Sequence, residues 1–161
     1  MEKFNHIELN NEVTKRGDNG FFRLEKDQEA IAEFLREVDY KTVKFSSEIK
    51  RLRYLVEENY YYNIFDKYIE DEIVECLELA ANYKFEFKSY MAASKFYKDY
   101  ALKTNDKKQY LENYNQHVFI VAMYLANGNV SLAKELMISM LEQRVQPATP
   151  TFLNSGRSRR G

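Results

Sequence analysis

The sequence predicts a mainly α-helical protein with a short N-terminal β-hairpin, about six helices and an extended C-terminal segment. Three observations support this fold class. Apolar residues recur at spacings of three and four over most of the chain after residue 26. Only five Gly and two Pro occur among 161 residues, and both prolines lie close to the C-terminus. Hydrophobic residues make up 45% of the chain, which is enough for a core.

The first 25 residues predict the hairpin. Ile7 and Leu9 alternate with polar residues, as in a half-buried strand. Residues 17–20 form a Gly-Asp-Asn-Gly turn cluster, and residues 21–24 would be the second strand.

The first two helices follow directly. Asp27 is a candidate N-cap, and the next apolar residues share one helical face (Ile31, Phe34, Leu35 and Val38). Ser46 is the candidate cap of a second helix that carries Ile49, Leu52 and Val56 on one face.

Four more helices complete the helical part. The third spans about residues 69–83, and Ser89 caps the fourth. The fifth starts near Leu111 and ends at Asn127-Gly128, because Asn and Gly tolerate a left-handed cap. Asn129 caps the sixth helix, so the last two helices form an antiparallel pair. After Val145, two prolines end the helical pattern.

Composition and charge exclude several classes of function. The 24 Lys and Arg nearly balance the 25 Asp and Glu, so no dominant polyanion-binding surface is expected. A single cysteine excludes a disulfide framework and a thiolate metal cage. No apolar run approaches the roughly 20 residues that span a bilayer, and the N-terminus has no signal core. We therefore expect a cytoplasmic protein without a membrane partner.

Few residues stand out as carriers of chemistry. Cys76 lies on the apolar face of the third helix and is expected to be a buried structural thiol. His6 and His117 lack ligand-like companions, so each is interpreted as a surface or helix-flank residue, and no metal site is predicted. Residues 60–62 are three tyrosines that could stack on bases, although an aromatic seam between helices is favoured.

The C-terminal residues Arg157, Arg159 and Arg160 form a possible nucleic-acid patch. Three charges in a nearly neutral chain make a weak signal, so no nucleic-acid partner is predicted.

Three stretches resemble one protein family in its order and at its spacing. Residues 146–161, in which Pro147 and Pro150 flank Thr149, resemble the segment by which the large (alpha) subunit of class I ribonucleotide reductase enters its catalytic barrel. Residues 96–108 and 126–134 are similar to its helical N-terminal region. The resemblance is closest to class Ib and covers about residues 60–161, with weaker likeness before.

The resemblance implies a function. The family reduces ribonucleoside diphosphates to deoxyribonucleotides, using a radical that a partner metallo-subunit passes to a barrel cysteine, while two further cysteines supply electrons. Thr149 matches the family's substrate-binding position, and a hydroxyl in a proline-fixed turn is pre-organised for such a contact. No catalytic residue is assigned to this chain.

The resemblance also implies domains, cofactors and partners. Residues 1–60 would be a shortened cone-like region, 61–145 the helical N-terminal domain, and 146–161 the start of the barrel. This chain would bind no cofactor, since the dinuclear metal-radical site belongs to the beta subunit. Residues 7–38 resemble the start of a nucleotide-binding cone, so a nucleotide effector is a possible ligand. Residues 1–60 are too short for a complete cone, which argues against overall-activity control by dATP.

We expect the chain to be one piece of a split alpha subunit, complemented by the remainder on a second chain and inactive alone. Its single cysteine cannot supply the three thiols of the family's reaction. Two alternatives stay open: a non-functional truncated product, and an independent helical module that either holds a nucleotide through the hairpin and first helix or serves as an interaction module.

Overall fold

The computed structural model describes the backbone of residues 20–143 and 155–157, and the side chains of this part from Lys26 onward. This part of the chain is mainly helical, which confirms the predicted fold class. It contains six α-helices: α1 Gly20–Tyr40, α2 Glu48–Glu57, α3 Glu70–Asn82, α4 Tyr90–Lys95, α5 Tyr114–Ala126 and α6 Val130–Leu141. A 3-10 turn, Ile64–Asp66, follows α2, and a π-helical turn, Phe96–Tyr100, continues α4.

The predicted hairpin is the main error. Residues 20–24, the expected second strand, form the start of α1, while residues 7–15 lie outside the described residues. Between residues 20 and 143 and at 155–157 there are isolated β-bridges and no strands. The pair Phe21-Phe22 favours a strand locally, but a long glycine-free run of good helix formers follows it and extends the helix back to Gly20.

The predicted helix caps are largely confirmed. Ser89 and Asn129 accept hydrogen bonds from the backbone N–H groups of Ala92 and Leu132. Asn127 adopts the left-handed conformation that ends α5. The cap of α2 is Ser47 and not Ser46, because the Ser47 hydroxyl accepts from the Lys50 N–H.

Asp27 is not the N-cap of the first helix, contrary to the sequence prediction. It lies inside α1, since that helix begins at Gly20. Its carboxylate accepts a 3.1 Å hydrogen bond from the Tyr90 N–H at the start of α4. The predicted role is therefore wrong: Asp27 accepts a hydrogen bond at the start of a helix 63 positions away, and the N-cap of that helix is Ser89.

The described residues divide into two compact units. The first consists of residues 20–43 and 86–111, and α1 packs on α4 within it. Aromatic rings pack together in it around the buried Tyr97: Phe34 lies 5.7 Å from Tyr90 and 5.9 Å from Tyr97, measured between ring centroids. Tyr97 also contacts Tyr110 at 5.3 Å.

The second unit consists of residues 44–85, 112–143 and 155–157, and α5 is its central helix. Helices α3 and α6 pack on α5 and on each other. Every residue from His117 to Met123 is buried, as expected for a helix surrounded by other elements. Tyr60 and Tyr61 are buried in the same unit, whereas Tyr62 is 36% exposed and its ring centroid lies 5.5 Å from that of Tyr124.

None of the helices that the structure describes is long and apolar enough to cross a membrane.

Candidate functional site

A cluster of five buried polar side chains lies in the second unit. Arg51 comes from α2, Tyr61 from the loop after it, Glu112 from the residue before the cap of α5, His117 from α5, and Arg157 from the C-terminal segment. Glu112 and His117 are 1% and 0% exposed, and the side chain of Arg157 is 6% exposed. Charged groups are rarely buried this completely unless they are paired.

The start of α5 places Glu112 and His117 together. Asn113 and Gln116 form a capping box: each side chain accepts a 2.8 Å hydrogen bond from the other residue's backbone N–H. The Gln116 amide also donates to the carboxylate of Glu48 in the first turn of α2. These bonds hold the backbone on both sides of the cap, so Glu112 faces the first turn of α5, where His117 lies.

Glu112 is the centre of the cluster's hydrogen bonds. Its Oε1 accepts from His117 Nδ1 at 2.6 Å and from Arg157 Nη2 at 3.0 Å. Its Oε2 accepts a short hydrogen bond from the Tyr61 hydroxyl. Arg51 Nη2 in turn donates to the Tyr61 hydroxyl oxygen at 2.8 Å. Both carboxylate oxygens therefore have hydrogen-bond donors. Two of the three donors are the His117 imidazole and the Arg157 guanidinium.

Electrostatics fix the protonation states at neutral pH. Burial is the largest single influence on the pKa of Glu112 and raises it. His117, Arg157 and Arg51 together lower this pKa by more than burial raises it, so it lies well below its ordinary value of 4.5. Burial raises the pKa of the Tyr61 hydroxyl far above its ordinary value of 10.0. Glu112 is therefore an ionised acceptor, and Tyr61 and His117 Nδ1 are donors to it.

Residues 155–157 lie directly against α5. The Tyr62 N–H donates to the Gly156 carbonyl oxygen at 2.6 Å, and Tyr61 and Arg157 form an antiparallel bridge. Gly156 has a φ of +80°, and a Cβ on it would lie 2.5 Å from Ile120 Cγ1. Only glycine fits this close approach without displacement.

Several predicted site residues lie outside the described residues: Thr149, His6, Arg159 and Arg160. Cys76 is fully buried as predicted, and burial raises the pKa of its thiol to about 11, which makes it an inert structural thiol.

Two interpretations of single residues need correction. His117 is not a surface or helix-flank residue, because it is completely buried and bonded to Glu112. Arg157 is not a solvated charge of a nucleic-acid patch, because its guanidinium forms a buried ion pair with Glu112. The proposed patch therefore has one solvent-exposed arginine fewer than the three counted from the sequence.

Sequence reasoning missed Glu112 altogether. The local signal was the Asn113–Gln116 capping box, which marks Glu112 as the residue that enters α5. Its decisive partners, Tyr61 and Arg157, are 51 and 45 positions away, so no local pattern points to them.

The arrangement is suited to holding backbone in place. Its carboxylate is removed from solvent, and both of its oxygens are engaged within the cluster. Among residues 20–143 and 155–157, no group of three or more His, Cys, Asp or Glu could hold a metal ion. The cluster thus anchors the C-terminal segment to α5 and to the loop after α2.

Two family models match consecutive parts of the chain. The model described as ribonucleotide reductase N-terminal matches residues 6–85. The model described as ribonucleotide reductase, all-alpha domain, matches residues 86–160.

Curated relatives agree with these matches. The chain is 46% identical over 159 residues, 98% of its length, to the ribonucleoside-diphosphate reductase NrdEB subunit alpha of Bacillus subtilis. It is 47% identical over 157 residues, 96% of its length, to the ribonucleoside-diphosphate reductase subunit alpha of the same organism. It is 42% identical over 158 residues, 97% of its length, to the corresponding subunit of Mycoplasma pneumoniae. The chain spans only 15%, 22% and 21% of these relatives, respectively.

Proposed function

The chain belongs to the ribonucleotide reductase family, as an N-terminal region of its large subunit, and we propose that it contributes to the reduction of ribonucleoside diphosphates by a class Ib enzyme. The observation that carries this proposal is the run of two consecutive family models over residues 6–160. Relatives at 42% to 47% identity, named as ribonucleoside-diphosphate reductase alpha subunits, support the same activity.

The activity requires polypeptide beyond these 161 residues. The chain corresponds to at most 22% of the relatives' length, and its only cysteine, Cys76, is buried in the helical part. The thiols of the reaction therefore come from the barrel-bearing remainder of the alpha subunit, on the same chain or on a second one. We propose that the assembly works in the cytoplasm with a beta subunit, which supplies the radical from its dinuclear metal site.

Within this region Thr149 is the proposed substrate contact. Its flanking prolines restrict the backbone, so its hydroxyl loses little freedom when it binds a ribonucleoside diphosphate. We also propose three domains, namely residues 1–60, 61–145 and 146–161. A nucleotide effector is proposed to bind the N-terminal region.

Reconstitution tests the activity. The chain, the barrel-bearing remainder and the beta subunit are combined with a dithiol reductant, and deoxyribonucleoside diphosphate formation is followed by chromatography. We expect turnover that needs all three components. Turnover that persists without residues 1–161, or no turnover and no association of the chain with the remainder, would reject the proposal.

A matched pair of variants tests Thr149. Thr149→Val removes the hydroxyl and keeps the shape, and we expect KM for the ribonucleoside diphosphate to rise about fivefold or more, the cost of one lost hydrogen bond. Thr151→Val is the control, with the same chemical change two positions downstream. An equal effect of both variants would reject a specific role for Thr149.

A further inference from the structure

We propose that an apolar surface of the second unit binds the barrel-bearing remainder of the alpha subunit. This docking surface consists of five exposed side chains: Tyr62, Ile69, Tyr124, Leu125 and Leu132. The identity of the partner rests on the proposed function, whereas the surface itself is a feature of this chain. Association with the remainder and turnover of the assembly can be measured separately.

The docking surface contains most of the exposed apolar side chains of its unit. Each of its five residues is at least 36% exposed. In the described part of the second unit only one other large hydrophobic side chain, Tyr54, is exposed to this degree. Single exposed hydrophobic residues are ordinary on a protein surface, but several of them at one place mark an interaction site.

The loop between α2 and α3 packs against the C-terminal end of α5. The Tyr68 hydroxyl donates to the Met123 carbonyl oxygen at 2.7 Å. The Lys67 carbonyl oxygen would lie 3.3 Å from a Cβ on Gly128, just after α5. This loop carries two residues of the docking surface, the last turn of α5 carries two more, and the fifth lies in the first turn of α6. All five residues therefore surround the end of α5.

Two residues of the docking surface contact each other directly. The rings of Tyr62 and Tyr124 meet edge to face, with 5.5 Å between their centroids and 87° between their planes. This geometry is favourable for aromatic pairs and restricts the orientation of both rings. A ring that is already held in place loses little conformational freedom when a partner covers it. The pair is therefore suited to anchor an interface.

The C-terminal residues that the structure describes lie beside this pair. Gly156 packs against Ile120, which is one helical turn before Tyr124 on the same face of α5. The Tyr62 N–H donates to the Gly156 carbonyl oxygen. Only four residues follow Arg157 in the sequence, and four residues span at most about 14 Å. Polypeptide that continues beyond this region therefore begins close to the docking surface.

The length of the relatives identifies the occupant. The chain corresponds to the N-terminal region of the family's large subunit and spans only 15% to 22% of the relatives. In subunits of that length, the polypeptide that follows this region begins beside the docking surface. A second copy of the chain has no such attachment. We therefore expect an apolar face on the remainder, because two apolar surfaces that meet are both removed from water.

Binding of the 161-residue chain to the barrel-bearing remainder, produced as a separate chain, tests the surface by titration calorimetry. We expect Tyr124→Ala to raise Kd about tenfold or more. Tyr124→Phe keeps the ring and should bind like the wild type. Tyr54→Ala is the matched control, because Tyr54 is 43% exposed and Tyr124 is 44% exposed, and the Tyr54 ring also packs on an aromatic ring, that of Phe45 at 5.4 Å. Tyr54→Ala should leave Kd unchanged.

Leu132→Asp keeps this test decisive even if Tyr124→Ala does not fold. An acidic residue in the first turn of α6 is favoured by the helix dipole, so this variant should keep its helices. A charge buried without a partner in the interface should nevertheless raise Kd about tenfold or more. Circular dichroism identifies a variant that has unfolded.

Nitration of tyrosines by tetranitromethane locates the contact. Peptide mass spectrometry compares the isolated chain with its complex with the remainder. We expect Tyr62 and Tyr124 to lose reactivity in the complex and Tyr54 to keep it. Equal nitration of Tyr124 in the isolated chain and in the complex would overturn the proposal.

The remaining outcomes separate the docking surface from the proposed function. Wild-type Kd in folded Tyr124→Ala and Leu132→Asp, or no association of the wild-type chain, would overturn the docking surface. Self-association of the isolated chain that both variants abolish would assign the surface to a second copy and overturn it as well. A complex that depends on Tyr124 but shows no turnover with the beta subunit would reject the proposed function and leave the docking surface in place.

Discussion

Gly156 shows how a single residue can decide where a segment lies. Its φ of +80° is disfavoured for residues with a Cβ, and its backbone approaches α5 so closely that a Cβ would lie 2.9 Å from the Ile120 carbonyl oxygen. A backbone carbonyl inside a helix cannot move aside without disturbing its own helical hydrogen bond. The segment therefore reaches Glu112 only because residue 156 is glycine.

Gly156→Ala should release residues 155–157 from α5. The combined backbone strain and overlap cost about 1–3 kcal/mol, so exchange of the Tyr62 amide should accelerate about tenfold or more. Gly128→Ala is the control, since Gly128 has a φ of +98° but its nearest contact is at 3.3 Å. Equal Tyr62 exchange in the two variants would contradict the close approach as the cause.

Glu112 makes the chain less stable at acid pH. Its pKa is lower in the folded chain than its ordinary value of 4.5, so the unfolded chain takes up the proton first. Its contribution is therefore fully present above about pH 4.5 and is lost as the pH falls below that value.

Glu112→Gln should lower the free energy of unfolding by about 3 kcal/mol at neutral pH, because the buried partners lose their carboxylate. The free energy of unfolding should also fall less steeply in acid, because the variant has no Glu112 carboxylate to protonate. Urea unfolding at several pH values measures both effects. Glu75→Gln, which removes an exposed carboxylate paired with Lys134, should leave the acid decline as steep as in the wild type. A Glu112→Gln curve parallel to the wild type would contradict the argument.

At the scale of elements, the start of α5 shows what local patterns can predict. Helix periodicity placed this element within a few residues, but extended it back to Leu111, whereas it begins at Tyr114. The difference arises because Asn113 caps the helix and Glu112 belongs to the buried cluster. Ser89 and Asn129 were identified from residue type alone, since a cap bonds within three residues of itself.

Asn113→Ala should lower the free energy of unfolding by about 1 kcal/mol, because it leaves the Gln116 N–H without its cap. Urea denaturation followed by helical circular dichroism measures the loss. Asn113→Asp keeps an acceptor at the cap and should stay close to the wild type. A loss of equal size in both variants would show that the cap is not the cause.

At the scale of the whole molecule, the two compact units each combine distant parts of the sequence. The family models meet between residues 85 and 86, yet each unit takes residues from both sides of that boundary. Phe34 packs on Tyr90 and Tyr97 in the first unit, and Tyr61 bonds Glu112 in the second. The predicted boundaries at residues 60 and 145 stay predictions.

Separate chains of residues 1–85 and 86–161 should therefore not fold cooperatively alone. Each would leave the interior of both units incomplete, and exposed apolar faces favour association. Mixing the two should restore helical circular dichroism and protection of the Tyr62 amide. Cooperative unfolding of either fragment by itself would contradict this expectation.

The sequence alone determined the helical class, the approximate helices, most caps and the family. These depend on periodicity and on motifs within a few residues of one another. The tertiary structure decided the burial of His117 and the pairing of Glu112 with Arg157. The physical reason is that burial and ion pairing depend on which distant segments meet. The sequence shows the same arginine at position 157 whether its guanidinium is exposed to water or paired with a buried carboxylate.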